Sequence, residues 1–454
     1  MYMKRLSLLL TVCVITVLGN RSSADDWRQW RGENRDGTWT EQGIVSELPA
    51  PGPSGVVEPV WQVAIGAGYS GPTVADGRVY VTDRERQTQT ERVLCFDSKT
   101  GEEIWQHSYK SLYTIGYKAG PRASVTIDRG LAIAVGAMGR MHCFDAATGD
   151  LKWERDLAED YDIDMPAWGI AGSPLIYGDT IIQLVGGSDG ACIVAFKRNS
   201  GQEVWRSLDE RPGYAAPILI KQGGKDIAVC WTGESLTGLD ASTGKVYWSH
   251  EMLPRNMPIG IGTPVLDNER LFVSSFYDGS LMVTAPRGET SSTLIWRAIG
   301  KDERNTGANF SETDGGKVED GTFGIHSMIG TSIVDGDYIY SVDSYGELRC
   351  LDAVSGRRIW EDNTAVRRGR WATIHMVRNG DDVWMFNEKG ELMITRLSPS
   401  GLEILSRTKI LEPTREQLNQ RGGVCWSHPA YAEKSIFVRS DDKLIRVSLE
   451  APSQ

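Results

Sequence analysis

Past its first 18 residues the chain has no long apolar run, which excludes a polytopic membrane protein, because a spanning helix needs about 20 consecutive apolar residues. Histidine is scarce, at 6 in 454 residues, and no His-Glu-x-x-His zinc pattern occurs. Cysteine is scarce as well, at 7. No stretch shows the 3.6-residue apolar periodicity that helical repeats require. Positive charge is in deficit: the formal net charge is −11, so no field draws the chain to nucleic acid or to an anionic membrane.

The first 24 residues read as a cleavable export leader. Lys4 and Arg5 precede an apolar run over 6–18 that is too short to span a bilayer, and Ser22-Ser23-Ala24 offers small residues for cleavage. Removing it takes three cations and no acid, which moves the formal charge from −11 to −14. Cys13 lies within the leader behind Leu10-Thr11-Val12, where a lipid-anchor signal would place a small residue before the cysteine. The expectation is a periplasmic or extracellular protein with neither lipid anchor nor membrane insertion.

Glycine and tryptophan are abundant, at 50 and 15 residues. Both belong to one recurring phrase. It reads Cys95-Phe96-Asp97-Ser98-Lys99-Thr100-Gly101 to Trp105, then Cys143-Phe144-Asp145-Ala146-Ala147-Thr148-Gly149 to Trp153, and returns near Gly201, Gly244 and Gly356. Copies at 281–296 and 392–404 are degenerate. Each phrase is a strand, a tight turn and a strand: aspartate and Ser or Thr bond turn amides, and glycine supplies positive φ. Two further short strands precede each phrase, as in Pro72-Thr73-Val74 and Arg78-Val79-Tyr80-Val81 around an Asp76-Gly77 turn.

The anchoring tryptophans Trp61, Trp105, Trp153, Trp205, Trp248, Trp296 and Trp360 are separated by 44, 48, 52, 43, 48 and 64 residues, the length of a propeller blade with one insertion. Pro59-Val60-Trp61 resembles a last strand placed before the first complete unit, while 435–449 ends without one. The expected fold is therefore all-β: eight four-stranded antiparallel blades, closed by the N-terminal strand. Residues 25–58 form an N-terminal extension, 59–450 the propeller, and about 300–325 an insertion loop. Cys95, Cys143 and Cys350 hold equivalent places in separate units, so they read as buried hydrophobes rather than bridges.

The phrase Asp-Ala-x-Thr-Gly-x-x-x-Trp at 145–153 resembles the repeat of the PQQ-like (pyrroloquinoline-quinone repeat) propellers, which include quinoprotein alcohol dehydrogenases and the non-enzymatic BamB-like proteins. The opening Trp27-Arg28-Gln29-Trp30-Arg31-Gly32 is similar to the start of exported proteins of this kind. The dehydrogenase branch implies an adjacent Cys-Cys pair, calcium ligands and a catalytic aspartate; the chain has no such pair, and the other positions cannot be placed. The resemblance thus implies a non-catalytic scaffold for envelope or secreted proteins, monomeric, with no resident metal. The alternative it implies is a dehydrogenase holding PQQ and calcium at the channel mouth.

Gly66-Ala67-Gly68-Tyr69-Ser70-Gly71 and Gly186-Gly187-Ser188-Asp189-Gly190 match a dinucleotide fingerprint and a nucleophile elbow in form, but strands rather than helices follow, so both read as turns. Asp160, Asp162 and Asp164 alternate without the glycine or later glutamate of a calcium loop. The segments leading from each tryptophan strand to the next innermost strand ring one channel mouth. They carry Tyr69, Tyr117, Arg122, Trp168, Tyr214, Met257, His326, Arg370, Trp371, Trp426 and His428. Aromatic faces with interspersed cations suit a planar or anionic ligand; the plainer reading is that they plug the channel.

Overall fold

The computed structural model describes residues 26–254, 256–298 and 324–452. The expected leader and positions 300–323 of the expected insertion loop lie outside the described residues. Eight four-stranded antiparallel sheets make up the fold. Blades 1 to 7 are consecutive in sequence, at 73–110, 126–156, 175–207, 218–251, 265–298, 333–362 and 374–409. Blade 8 takes three strands from 430–448 and its outermost from Trp61–Ala64, with Trp61 opposite Arg446. That N-terminal strand closes the ring and leaves no free edge between first and last blades.

The recurring phrase works as a socket for the preceding blade. In blade 2, Asp145 Oδ1 accepts from the amides of Ala147 (3.1 Å) and Thr148 (3.2 Å), which tightens the turn. Gly149 then sits at φ +77°, and a Cβ there would lie 2.6 Å from the Trp105 ring. The site accepts only glycine for two reasons, the left-handed backbone and the indole lying on it. Trp105 Nε1 donates to Ala146 O at 3.0 Å, and the same bond joins Trp61 to Ser98, Trp153 to Arg198 and Trp296 to Ala353.

Where the next phrase is degenerate, the socket changes. Trp248 faces the 281–296 copy, so its Nε1 turns back to Gln222 Oε1 (2.9 Å) in its own blade, and its ring covers Gly238. Trp360 is only half-buried over the copy at 392–404, where it donates to Ser398 O. Cys95, Cys143 and Cys350 stand opposite Trp105, Trp153 and Trp360 across the strand pair, and all six described cysteines are buried and free.

Residues 26–39 form a strap across the channel, and 45–57 run on along the outermost strand of blade 7 and the C-terminal segment. Trp27 exchanges main-chain bonds with Val74 of blade 1 (2.7 and 3.0 Å), and Ile127 N of blade 2 donates to Arg28 O (2.8 Å). Arg35 donates to the carbonyls of Ser173, Pro174 and Pro217, ahead of blades 3 and 4. Trp30 Nε1 donates to Thr263 Oγ1 ahead of blade 5 (2.7 Å), and Trp39 N to Arg378 O of blade 7 (2.8 Å). Unpaired edges of innermost strands thereby find partners.

Between blades 1 and 2, His142 is stacked beside Phe144, His107 and Tyr109, and neither ring nitrogen has a hydrogen-bond partner. Burial, then His107 and Arg140, push its pKa down to about 3; Glu154, 3.6 Å away and half exposed, does not offset this. An unfolded chain takes up this proton below about 6.5 whereas the folded one does not until about 3, so the group destabilises the fold as pH falls, by about 1.4 kcal/mol per unit across that window. His142→Phe is expected to leave stability at pH 7.5 nearly unchanged and to flatten the acid limb. The loss of unfolding free energy between pH 7.5 and 4.5, read from urea titrations, should shrink by roughly 2–3 kcal/mol; an unchanged loss would contradict the assignment.

Candidate functional site

The segments before the innermost strands converge on a cup of about 850 Å³, open on the face opposite the first hairpin turns. Its wall contains Tyr69, Tyr117, Arg122, Trp168, Tyr214, Trp426 and His428, all expected from sequence, together with Ile261, Met328 and Ile329. Trp30 of the strap lines it too, so the channel is a cup with a floor rather than a through-pore.

The aromatic wall is braced by its own contacts. Trp168 and Tyr214 lie 5.1 Å apart at 32°, Tyr117 meets Trp168 edge-on at 5.6 Å, and Tyr117 and Trp426 lie 6.2 Å apart. Tyr117 adopts φ +52°, a strained backbone for a tyrosine that the surrounding packing imposes. Tyr69 Oη donates to Gln417 O (3.1 Å), and the same glutamine accepts from Trp426 N (2.7 Å) and donates to Gly68 O (2.7 Å). Gln417 thereby clamps two wall residues in place.

The cup is electropositive in an acidic chain. Arg122 donates only to the carbonyls of Gly116, Tyr117 and Gly120, and its guanidinium lies 4.9 Å from the Tyr69 ring. Beneath the floor, burial pushes Arg31 down to about 10 and Arg35 down to about 9, so both remain cations at neutral pH. His428 is buried; Nδ1 donates to Pro429 O (2.6 Å), which leaves Nε2 as an acceptor with no partner. Burial first, then His375 and Arg31, hold this imidazole neutral. Trp426 Nε1, a donor, also has no partner.

Four expected residues lie elsewhere. His326 is 2% exposed inside blade 6, its Nδ1 3.7 Å from the Asp343 carboxylate that Arg349 also contacts, so it is packed in the blade and not on the cup wall. Arg370 and Trp371 stand on the rim: the guanidinium covers the Trp371 ring at 4.1 Å and donates to Tyr277 Oη (3.0 Å), while Trp371 packs on Phe276 at 4.8 Å. Met257 lies at the edge of a neighbouring groove. The sequence reading missed Trp30, Phe276 and Tyr277. Only the density of tryptophan and arginine over 27–35 hinted at the first, and the other two sit in turns between second and third strands.

The aromatic wall would accept a planar ring. Yet the cup wall carries no carboxylate, and no group of three or more His, Cys, Asp or Glu among the described residues is placed to hold a metal ion. A calcium ion accompanying PQQ would find no acidic donor there, so the residues present do not fit that pair. No helix among the described residues is long and apolar enough to cross a membrane.

The family described as outer membrane protein assembly factor BamB matches residues 89–362. No curated protein matches the chain. Among solved structures, BamB from Moraxella catarrhalis is 15% identical, with 86% of this chain and 98% of that one covered at a TM-score of 0.58. Quinohemoprotein alcohol dehydrogenase from Comamonas testosteroni is 14% identical over 94% of this chain and 81% of its own, at 0.62. A europium-containing methanol dehydrogenase is 12% identical over 92% and 90%, at 0.61. At these identities the likeness is one of fold.

Proposed function

The chain belongs to the BamB-described family, and on that premise we propose that it is an exported, non-catalytic scaffold that docks a partner protein on the face where the cup opens. The observation that carries this reading is the cup itself: aromatic, floored by the chain's own strap, and bordered by the Arg370–Trp371–Phe276 rim. Aromatic and arginine side chains gathered at a concave centre are the usual energetic core of protein interfaces. The leader-like pattern of charges, apolar run and small residues over 1–24 supports a location in the cell envelope or beyond it. The dehydrogenase alternative draws support from the fold alone and lacks the donor set described above.

A photo-crosslinking residue placed at 370 is expected to trap a discrete partner in intact cells. One placed at Ile104, on the outer strand of blade 1, is the control. Equal product patterns from the two positions would sink the proposal.

A further inference from the structure

Next to the cup lies a second opening of about 1040 Å³, between the segments that lead out of blades 2 and 3. Tyr214 borders both openings, so they lie side by side on the same face. The groove has the opposite polarity: among the described residues, Asp162, Asp164, Asp209, Glu210 and Glu234 face a single guanidinium, Arg211. Arg211 pairs with Glu234 at 2.7 Å, and among the described residues the other four carboxylates make no ion pair. Glu210 is held in place by the hydroxyls of Thr232 and Ser235, the latter at 2.8 Å. Met165, Pro166, Pro212 and Met257 give the groove an apolar bed along which the methylene stem of a lysine or arginine can lie.

We infer that cup and groove form one docking surface for an extended segment of a partner protein, in which an aromatic side chain enters the cup and nearby lysine or arginine residues occupy the groove. The inference rests on the scaffold reading and adds the partner's chemistry. Two features independent of the acidic cluster point to an occupant of the cup. Trp426 and His428, 6% and 3% exposed, carry a donor and an acceptor that no protein group satisfies, and a buried polar atom without a partner is costly. A tyrosine hydroxyl, which both donates and accepts, has the chemistry to satisfy either atom once the cup is occupied. Arg122 sets direction, since its charge turns a cationic side chain away from the cup and toward the groove.

The test uses labelled peptides with two lysines separated by one to four glycines from a tyrosine, read by fluorescence anisotropy against the mature protein. Controls replace the lysines by glutamates or the tyrosine by alanine. At least one lysine–tyrosine peptide should bind, more weakly as salt rises. Changing Asp162, Asp164 and Asp209 to Asn with Glu210→Gln should weaken it by about tenfold or more without moving the thermal transition, and Trp168→Ala should weaken it while leaving the salt dependence intact. Equal binding of glutamate peptides, no binding by any of the set, or saturable calcium binding in the groove without peptide binding would each overturn the inference. If the four-site variant still crosslinks its partner from position 370 and the lysine peptides fail, the scaffold reading stands and this inference alone falls.

Discussion

Trp105→Ala is expected to lower the free energy of unfolding by about 3–5 kcal/mol. The indole is 7% exposed, lies on Gly149 of the next blade, and packs against Phe144 at 5.5 Å and Tyr80 at 6.0 Å. Truncation removes that burial, leaves a cavity between two sheets that cannot slide together without breaking the ring, and strips the indole donor from Ala146 O. Two further variants separate the contributions. Trp105→Phe keeps much of the ring but loses the hydrogen bond, so the bond's share is about 1 kcal/mol. Trp360→Ala, over a degenerate socket and already half-buried, should cost less than Trp105→Ala. Urea midpoints at unchanged denaturant slope provide the measurement. A wild-type midpoint for Trp105→Ala would remove the docking role assigned to these tryptophans.

The blades were legible because their determinants are local. Asp145, Thr148 and Gly149 build a turn with their own amides and φ, so the phrase can be read wherever it occurs. Closure was legible from Trp61, a docking tryptophan with no blade before it. The cup was legible where position alone decides: Tyr69, Trp168 and Trp426 lie in segments that must ring the mouth in any propeller. Sequence failed where a partner lies far along the chain or across a turn. His326 occupies the same kind of segment, but Asp343, at the end of the second strand of blade 6, holds it inside the blade. Trp248 looked like its neighbours, and only the loss of the glycine socket in the 281–296 copy told against it. The place of Trp30 in the cup could not be read because its partner, Thr263, is 233 residues away.

The strap yields the second large effect, Trp39→Ala. Trp39 is 1% exposed, meets Trp384 edge-on at 5.3 Å and Tyr431 at 5.2 Å, and donates from Nε1 to Glu41 Oε2 at 2.8 Å, while Glu41 accepts in turn from Lys434 N. It is therefore the anchor that fastens the strap to blades 7 and 8, and its truncation should cost about 3–5 kcal/mol of docking free energy. That cost falls on local opening of the strap rather than on the blades, whose inter-blade sockets do not involve it. Arg31 and Arg35 lie in the strap at 2% and 3% exposure, so trypsin reaches them only when the strap lifts. A 3 kcal/mol rise in the population of the lifted state should speed tryptic cleavage there by roughly a hundredfold, since each 1.4 kcal/mol is tenfold. Timed digestion with mass identification of the nicked sites gives the rates; cleavage at the wild-type rate would mean that the strap is held elsewhere. Once lifted, the strap takes Trp30 and the buried arginines away from beneath the cup. The same variant should therefore lose affinity for any ligand that depends on the cup being closed below, while a ligand bound only at the Arg370–Trp371 rim would be retained.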